Sequence, residues 1–203
     1  MTRFRFAVFA LMLVWLLLGG GGCLMEEKVI EVVVKGETCI EFFEDHETQE
    51  YTTPVTVDYA QKIADILEEE GLSRSDIVEA KVMGATYQVT AFDHIHDWRI
   101  SGDITAEHLG NGGPSTIIAY TNQSLIAAQP APIAAHLDAA GVSVVNEALQ
   151  AYIDGGSPML RFEVNNGIVD PEPDESDRLV FTWEACIALH VVYREEVDVP
   201  DPL

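Results

Sequence analysis

Apolar positions recur along most of this chain with the period of two that marks half-buried strands. Lys28–Val34 is valine-rich, and Thr38–Glu44 follows it after Gly36 as a partner strand. Glu44–Pro54 is polar and reads as a loop. Asp58 is placed to cap a helix over Tyr59–Glu70, with Ile63, Ile66 and Leu67 as its apolar stripe and Gly71 as its stop. Ile77–Phe92 reads as a long strand whose parity slips. Val78, Ala80 and Val82 share one face and Tyr87, Val89 and Ala91 the other, so a bulge or bend is expected at Gly84.

Trp98–Glu107 alternates almost without fault. Trp98, Ile100, Ile104 and Ala106 face one way, and Arg99, Ser101, Asp103, Thr105 and Glu107 the other. A glycine-rich turn, Gly110–Pro114, leads into Ser115–Tyr120 and completes a hairpin. Pro132 opens a predicted short helix to Ala140, and Val144–Ile153 repeats Val145, Leu149, Tyr152 and Ile153 at helical spacing. Met159–Asn165 alternates again. Leu179–Tyr193 sets Phe181, Trp183, Ala185, Ile187, Leu189, Val191 and Tyr193 on one face. About seven strands and two or three interrupting helices predict a mainly β (α+β) fold, an antiparallel β-sandwich with helices capping an open end.

The first 22 residues stand apart from this pattern. Arg3 and Arg5 precede an unbroken apolar run, Phe6 to Leu18, too short to span a bilayer comfortably. Gly19 to Gly22 then lead into Cys23. This resembles a type II, lipoprotein signal peptide, in which cleavage before the cysteine is coupled to its lipidation. The position three before the cysteine, usually an aliphatic residue, is Gly20 here. An uncleaved anchor or an ordinary signal peptide cut among the glycines are the other readings of the segment. The resemblance implies a bacterial export signal (1–22), a lipidated tether (23–27) and a protein bound to the cell envelope through Cys23. Leu24, being other than aspartate, points toward the outer membrane. The remaining chain divides into one sandwich domain (28–194) and an acidic tail (195–203) expected to fray.

A second resemblance covers the segments "ATYQVTAFDHIHDWRISGDIT" and "GVSVVNEALQAYIDGGSPMLRFEV". They are similar to uncharacterised bacterial lipoproteins built as β-sandwiches. That similarity implies fold and export but carries no activity.

Charge narrows the partners. Of the 203 residues, 11 are Lys or Arg and 34 are Asp or Glu, for a net charge of −23. Taking away Arg3 and Arg5 leaves nine cations against all 34 acids, a net −25 for residues 23–203. Nucleic-acid binding through phosphates needs clustered cations and is excluded on this balance. An anionic membrane surface repels such a domain, so its membrane affinity must come from the anchor. Solubility in salt accounts for the acidity more simply than a dedicated cation-binding surface does.

Cys39 and Cys186 remain once Cys23 is lipidated. Both fall on the more polar parity of their segments, so they are a candidate disulfide, worth ~4–5 kcal/mol on loop-closure entropy. Two unrelated buried thiols are the alternative.

Three motifs invite chemistry. In Asp93-His94-Ile95-His96-Asp97 the two imidazoles project to one side of a strand, a spacing that can hold one metal with Asp93 or Asp97. The pattern resembles the His-x-His of cupins but lacks the glutamate and glycine that follow it there. Core-rim packing beside Trp98 is the plainer use. Asp170, Glu172, Asp174 and Asp177 gather carboxylates on one loop and form a candidate calcium loop, though Glu175 and Phe181 stand where an EF-hand needs Gly and Glu. His46-Glu47-Thr48-Gln49-Glu50 misses the zincin motif by its last histidine and reads as a solvated loop. Trp98 and Trp183 are expected as core anchors more than as a sugar platform. No nucleophile elbow or P-loop is present.

The functional expectation is a lipid-anchored, non-enzymatic binding or envelope-structural module with a protein or envelope partner and no required cofactor. The alternatives are a carrier of an apolar ligand such as a lipid, and a metal-dependent enzyme built on His94 and His96.

Overall fold

The computed structural model describes residues 25–69, 71–93 and 96–200. The chain forms two compact units, Val32–Tyr193 and a smaller one made of Met1–Glu31 with Arg194–Leu203. In the smaller unit the described residues, 25–31 and 194–200, are the ends of two long strands.

The elements run β1 (Met25–His46), β2 (Glu50–Asp58), α1 (Tyr59–Glu69), β3 (Ile77–Phe92), β4 (Arg99–His108), β5 (Ser115–Ser124), β6 (Ile133–Ala135), α2 (Ala139–Ile153), β7 (Met159–Asp170) and β8 (Leu179–Pro200). They make two four-stranded sheets, β1-β8-β3-β6 and β2-β7-β4-β5. The chain crosses between sheets at almost every connection, and the resulting order is that of the jelly roll, an eight-stranded double Greek key. The antiparallel β-sandwich with capping helices read from the sequence is the fold.

Alternation works because each sheet has one wet and one dry face. Trp98, just before β4, and Ile100, Ile104 and Ala106 within it are buried, and so is every predicted inward residue of β8 from Phe181 to Tyr193. These side chains meet Ile40 and Phe42 of β1 and Leu160, Phe162 and Val164 of β7 in one core. The slip in β3 is a register shift between Val82 and Gly84, with two others at Ile77/Glu79 and Val89/Ala91. The last of these turns Ala91 outward, so it does not share the buried face of Val89.

Four expectations are corrected. Lys28–Val34 and Thr38–Glu44 are not a hairpin but one continuous strand. Gly36 is no turn: a Cβ there would lie 2.8 Å from Cδ1 of Ile66, so the glycine admits α1 against β1. Glu44–Pro54 is mostly strand, with only residues 47–49 in the turn; β2 was hidden because its outward positions (Glu50, Thr52, Pro54, Thr56) are polar or turn-forming. The helix expected from Pro132 is instead β6, which pairs along the open edge of β3 (Ala135 with Ala85, Ile133 with Tyr87). α2 starts only at Ala139, where the Asp138 carboxylate accepts the Ala140 N–H at 2.8 Å. Finally, the acidic tail is strand from Glu195 to Pro200, with 201–203 outside the described residues.

Candidate functional site

The most heavily buried charge among the described residues comes from the apolar side of β1. Thr38, Ile40, Phe42 and Glu44 share the inward parity, and Glu44 is fully buried (0% exposed). A carboxylate in that position is unstable unless donors replace its water. Three do. Thr53 of β2 donates to Oε2 at 2.6 Å, the Trp183 indole N–H donates to Oε1 at 3.1 Å, and His46 Nε2 lies 2.7 Å from Oε2. Thr53 belongs to the opposite sheet, so the carboxylate links the two layers.

Beside it, four residues form a row across the second sheet. Tyr51 on β2 pairs with Gly167 on β7, and Tyr120 on β5 pairs with Gly102 on β4. A Cβ on Gly167 would sit 2.6 Å from the Tyr51 ring, and one on Gly102 would sit 2.9 Å from the Tyr120 hydroxyl. The two tyrosines therefore lean inward over two glycines until their hydroxyls meet at 3.2 Å. Aromatic rings close the shell. Phe42 stacks on Trp183 at 4.7 Å between centroids, Tyr120 meets Trp183 edge-on at 5.9 Å, and His46 tilts over Tyr51 at 4.4 Å.

Burial raises both phenols well above the usual tyrosine range, and the negative Glu44 adds to it. The hydrogen bond between the phenols acts oppositely on its two ends, but burial dominates at each. Both stay neutral at any physiological pH. A surface groove of about 410 Å³ runs past this cluster, lined by Glu50, Tyr51, Thr52, Asn166, Gly167 and Ile168. The cluster can hold protons and orient polar groups, yet its members are spent on one another. Its evident work is to fasten one sheet to the other.

Sequence reasoning did not single out Glu44. The signal was present: an acid on the same parity as Ile40 and Phe42 needs a buried partner.

The motifs singled out from sequence lie elsewhere. Cys23 and His94 fall outside the described residues. His96 is exposed on the β3–β4 connection, and Asp93 is exposed at the rim of a shallow groove with Phe43, Phe92 and Val180. Asp97 is engaged away from His96: it accepts from Ser124 Oγ at 2.5 Å and pairs with Arg99 at 3.5 Å. In the acidic loop, Asp174 accepts from the Ser176 hydroxyl, the Ser176 N–H and the Asp177 N–H, and these bonds lower its pKa. Asp170, Glu172, Asp174 and Asp177 are not drawn into one donor cluster among the described residues. His46 ends β1 and no helix follows, so the zincin-like spacing has no structural basis. Trp98 and Trp183 are buried anchors.

Cys39 and Cys186 are joined as a disulfide between β1 and β8, which are neighbours in the first sheet. Among the described residues, the group of donors close enough to share a metal ion is Cys39, Glu184 and Cys186. The sandwich interior, by contrast, is filled. Val145 and Leu149 of α2 are fully buried in the core. The apolar cavity lined by Ile100, Ile104, Ile118, Leu125 and Trp183 measures only about 10 Å³, where small-molecule sites span roughly 300–1,000 Å³.

No protein-family model matches the chain, and no curated protein does. Among solved structures, one of turnip yellow mosaic virus aligns over 88% of this chain and 100% of that one, at 7% identity and a TM-score of 0.32. One of Desmodium yellow mottle tymovirus aligns over 87% and 93%, at 9% identity and a TM-score of 0.29. One of maize chlorotic mottle virus aligns over 83% and 98%, at 13% identity and a TM-score of 0.30. Similarity at this level has no bearing on what this chain does.

Proposed function

We propose that this protein is an exported bacterial lipoprotein, held to the cell envelope by lipid on Cys23, whose jelly-roll domain is a non-enzymatic binding or structural module. The observation that carries the reading is the N-terminal pattern: two arginines, the apolar run Phe6–Leu18, four glycines and a cysteine. Two features support it. A cross-strand disulfide suits an oxidising compartment outside the cytosol. A strongly acidic domain resists adsorption to anionic lipid, so the anchor alone sets its attachment. A filled core and a self-satisfied polar cluster favour recognition by the outer surface over catalysis or carriage of an apolar ligand.

The test is intact-mass analysis of the full chain made in a bacterium and extracted in detergent. The expected mass is that of a chain beginning at Cys23 and carrying lipid. Cys23→Ser should leave the signal uncleaved and the added mass absent. An unlipidated chain, cut elsewhere among the glycines, would overturn the reading.

A further inference from the structure

We propose that Cys39, Cys186 and Glu184 form a redox-gated site for a thiophilic divalent cation of the zinc and cadmium class. The site is closed while the disulfide stands and opened by a dithiol reductant. It does not depend on the anchor.

The three side chains come together because of strand parity. Thr38 and Ile40 point into the core, so Cys39 between them points out of the first sheet. On β8, Trp183, Ala185 and Ile187 point inward, which puts Glu184 and Cys186, two residues apart, on the same outer face. β8 lies beside β1, and one Sγ from each cysteine and a carboxylate oxygen of Glu184 all lie within 4.8 Å of one another. The two sulfurs are covalently joined in this state; once that bond is broken they have to part to about 3.8 Å, the separation of two sulfurs bound tetrahedrally at ~2.3 Å from one zinc. Two thiolates and one carboxylate select a borderline-soft cation over calcium or magnesium, which take oxygen ligands alone. Cys39 and Glu184 are half-buried on that face and Cys186 is buried, so water completes the coordination from the side of Cys39 and Glu184. Glu37 and Glu41, exposed on the same parity of β1 to either side of Cys39, add negative potential that draws cations toward it.

The chemistry has two balanced steps. A dithiol gives two electrons and two protons to the Cys39–Cys186 bond; that bond breaks, each sulfur becomes a thiol, and the dithiol closes to its own disulfide. The cation then displaces both thiol protons into solvent as two sulfur–metal bonds form, with the Glu184 carboxylate as third ligand.

The test uses full-length Cys23→Ser protein, so that Cys39 and Cys186 are its only thiols. Oxidised and dithiol-reduced samples, the latter freed of reductant without air, are titrated with Cd²⁺ and followed by thiolate-to-cadmium absorbance. The proposal expects one equivalent bound with that absorbance in the reduced protein and none in the oxidised protein. Glu184→Gln should weaken binding about tenfold or more while circular dichroism stays unchanged. Should the reduced protein lose its fold, Cd²⁺ must restore the near-ultraviolet dichroism, since binding then drives folding. Absence of the absorbance in folded reduced protein, failure of Cd²⁺ to restore a lost fold, or equal affinity in Glu184→Gln would each overturn the proposal.

Discussion

The polar side chains buried inside this sandwich differ in whether they are answered. Glu44 is answered three times over, by Thr53, Trp183 and His46. Tyr59, also fully buried, packs its ring against Phe162 while its hydroxyl finds no hydrogen-bond partner. A buried unpaired hydroxyl costs ~1–3 kcal/mol. Tyr59→Phe keeps the ring and removes the penalty, so it should raise the chemical-denaturation midpoint by an amount equivalent to about 1 kcal/mol. A lower midpoint would mean the hydroxyl is satisfied after all. The phenols of Tyr51, Tyr59 and Tyr120 make a second prediction. Burial raises each above its unfolded value near 10, so the folded state holds protons that the unfolded state gives up. Their contribution is complete below that value and is lost as pH rises beyond it. In an alkaline titration, phenolate absorbance from these three should appear together with unfolding. A gradual rise in a still-folded protein would contradict their burial.

At the scale of elements, what could be read in the sequence depended on how plainly a segment showed two faces. β4 and β8 alternate without interruption, and their inward residues were named correctly from sequence. β3 announced its bulge at Gly84 through its change of parity. β2 could not be read, because its outward face is polar and it takes its place only by pairing with β7. β6 could not be read either: three residues become a strand only because β3 offers an edge. The Tyr51–Gly167–Gly102–Tyr120 row was equally invisible, since it joins four strands that only the folded topology sets side by side. That row yields a prediction. Gly167→Ala puts a methyl where the Tyr51 ring now lies, 2.6 Å from its nearest atom. Overpacking of this kind costs ~1–3 kcal/mol, whereas an alanine in an unobstructed strand should stabilise. The denaturation midpoint should therefore fall, and the substitution Gly167→Ala in a Tyr51→Ala background should recover most of the loss. Additive effects of the two changes would mean that ring and glycine are not coupled.

For the whole molecule, charge opposes the topology. The sheets are fastened to each other at Glu44 and the first is stapled within itself at Cys39–Cys186, while residues 23–203 carry a surplus of 25 negative charges that repel one another in any compact state. The ion pairs available to offset this are exposed or nearly so, among them Lys81–Glu79, Arg161–Glu163 and Arg178 with Asp45 and Glu47. Such pairs contribute little, ~0–1 kcal/mol each. Salt acts on both terms with opposite sign, weakening the pairs and relieving the repulsion. Because unpaired carboxylates far outnumber the pairs, relief should win. Thermal midpoints should climb as sodium chloride rises from about 0.01 M to about 1 M, over which the screening length shrinks from ~30 Å to ~3 Å. The climb should depend on ionic strength alone, so potassium and sodium should superimpose. A midpoint that falls with salt would show the few ion pairs to outweigh the acidic surplus. A difference between the two cations would instead point to specific ion sites on the acidic face.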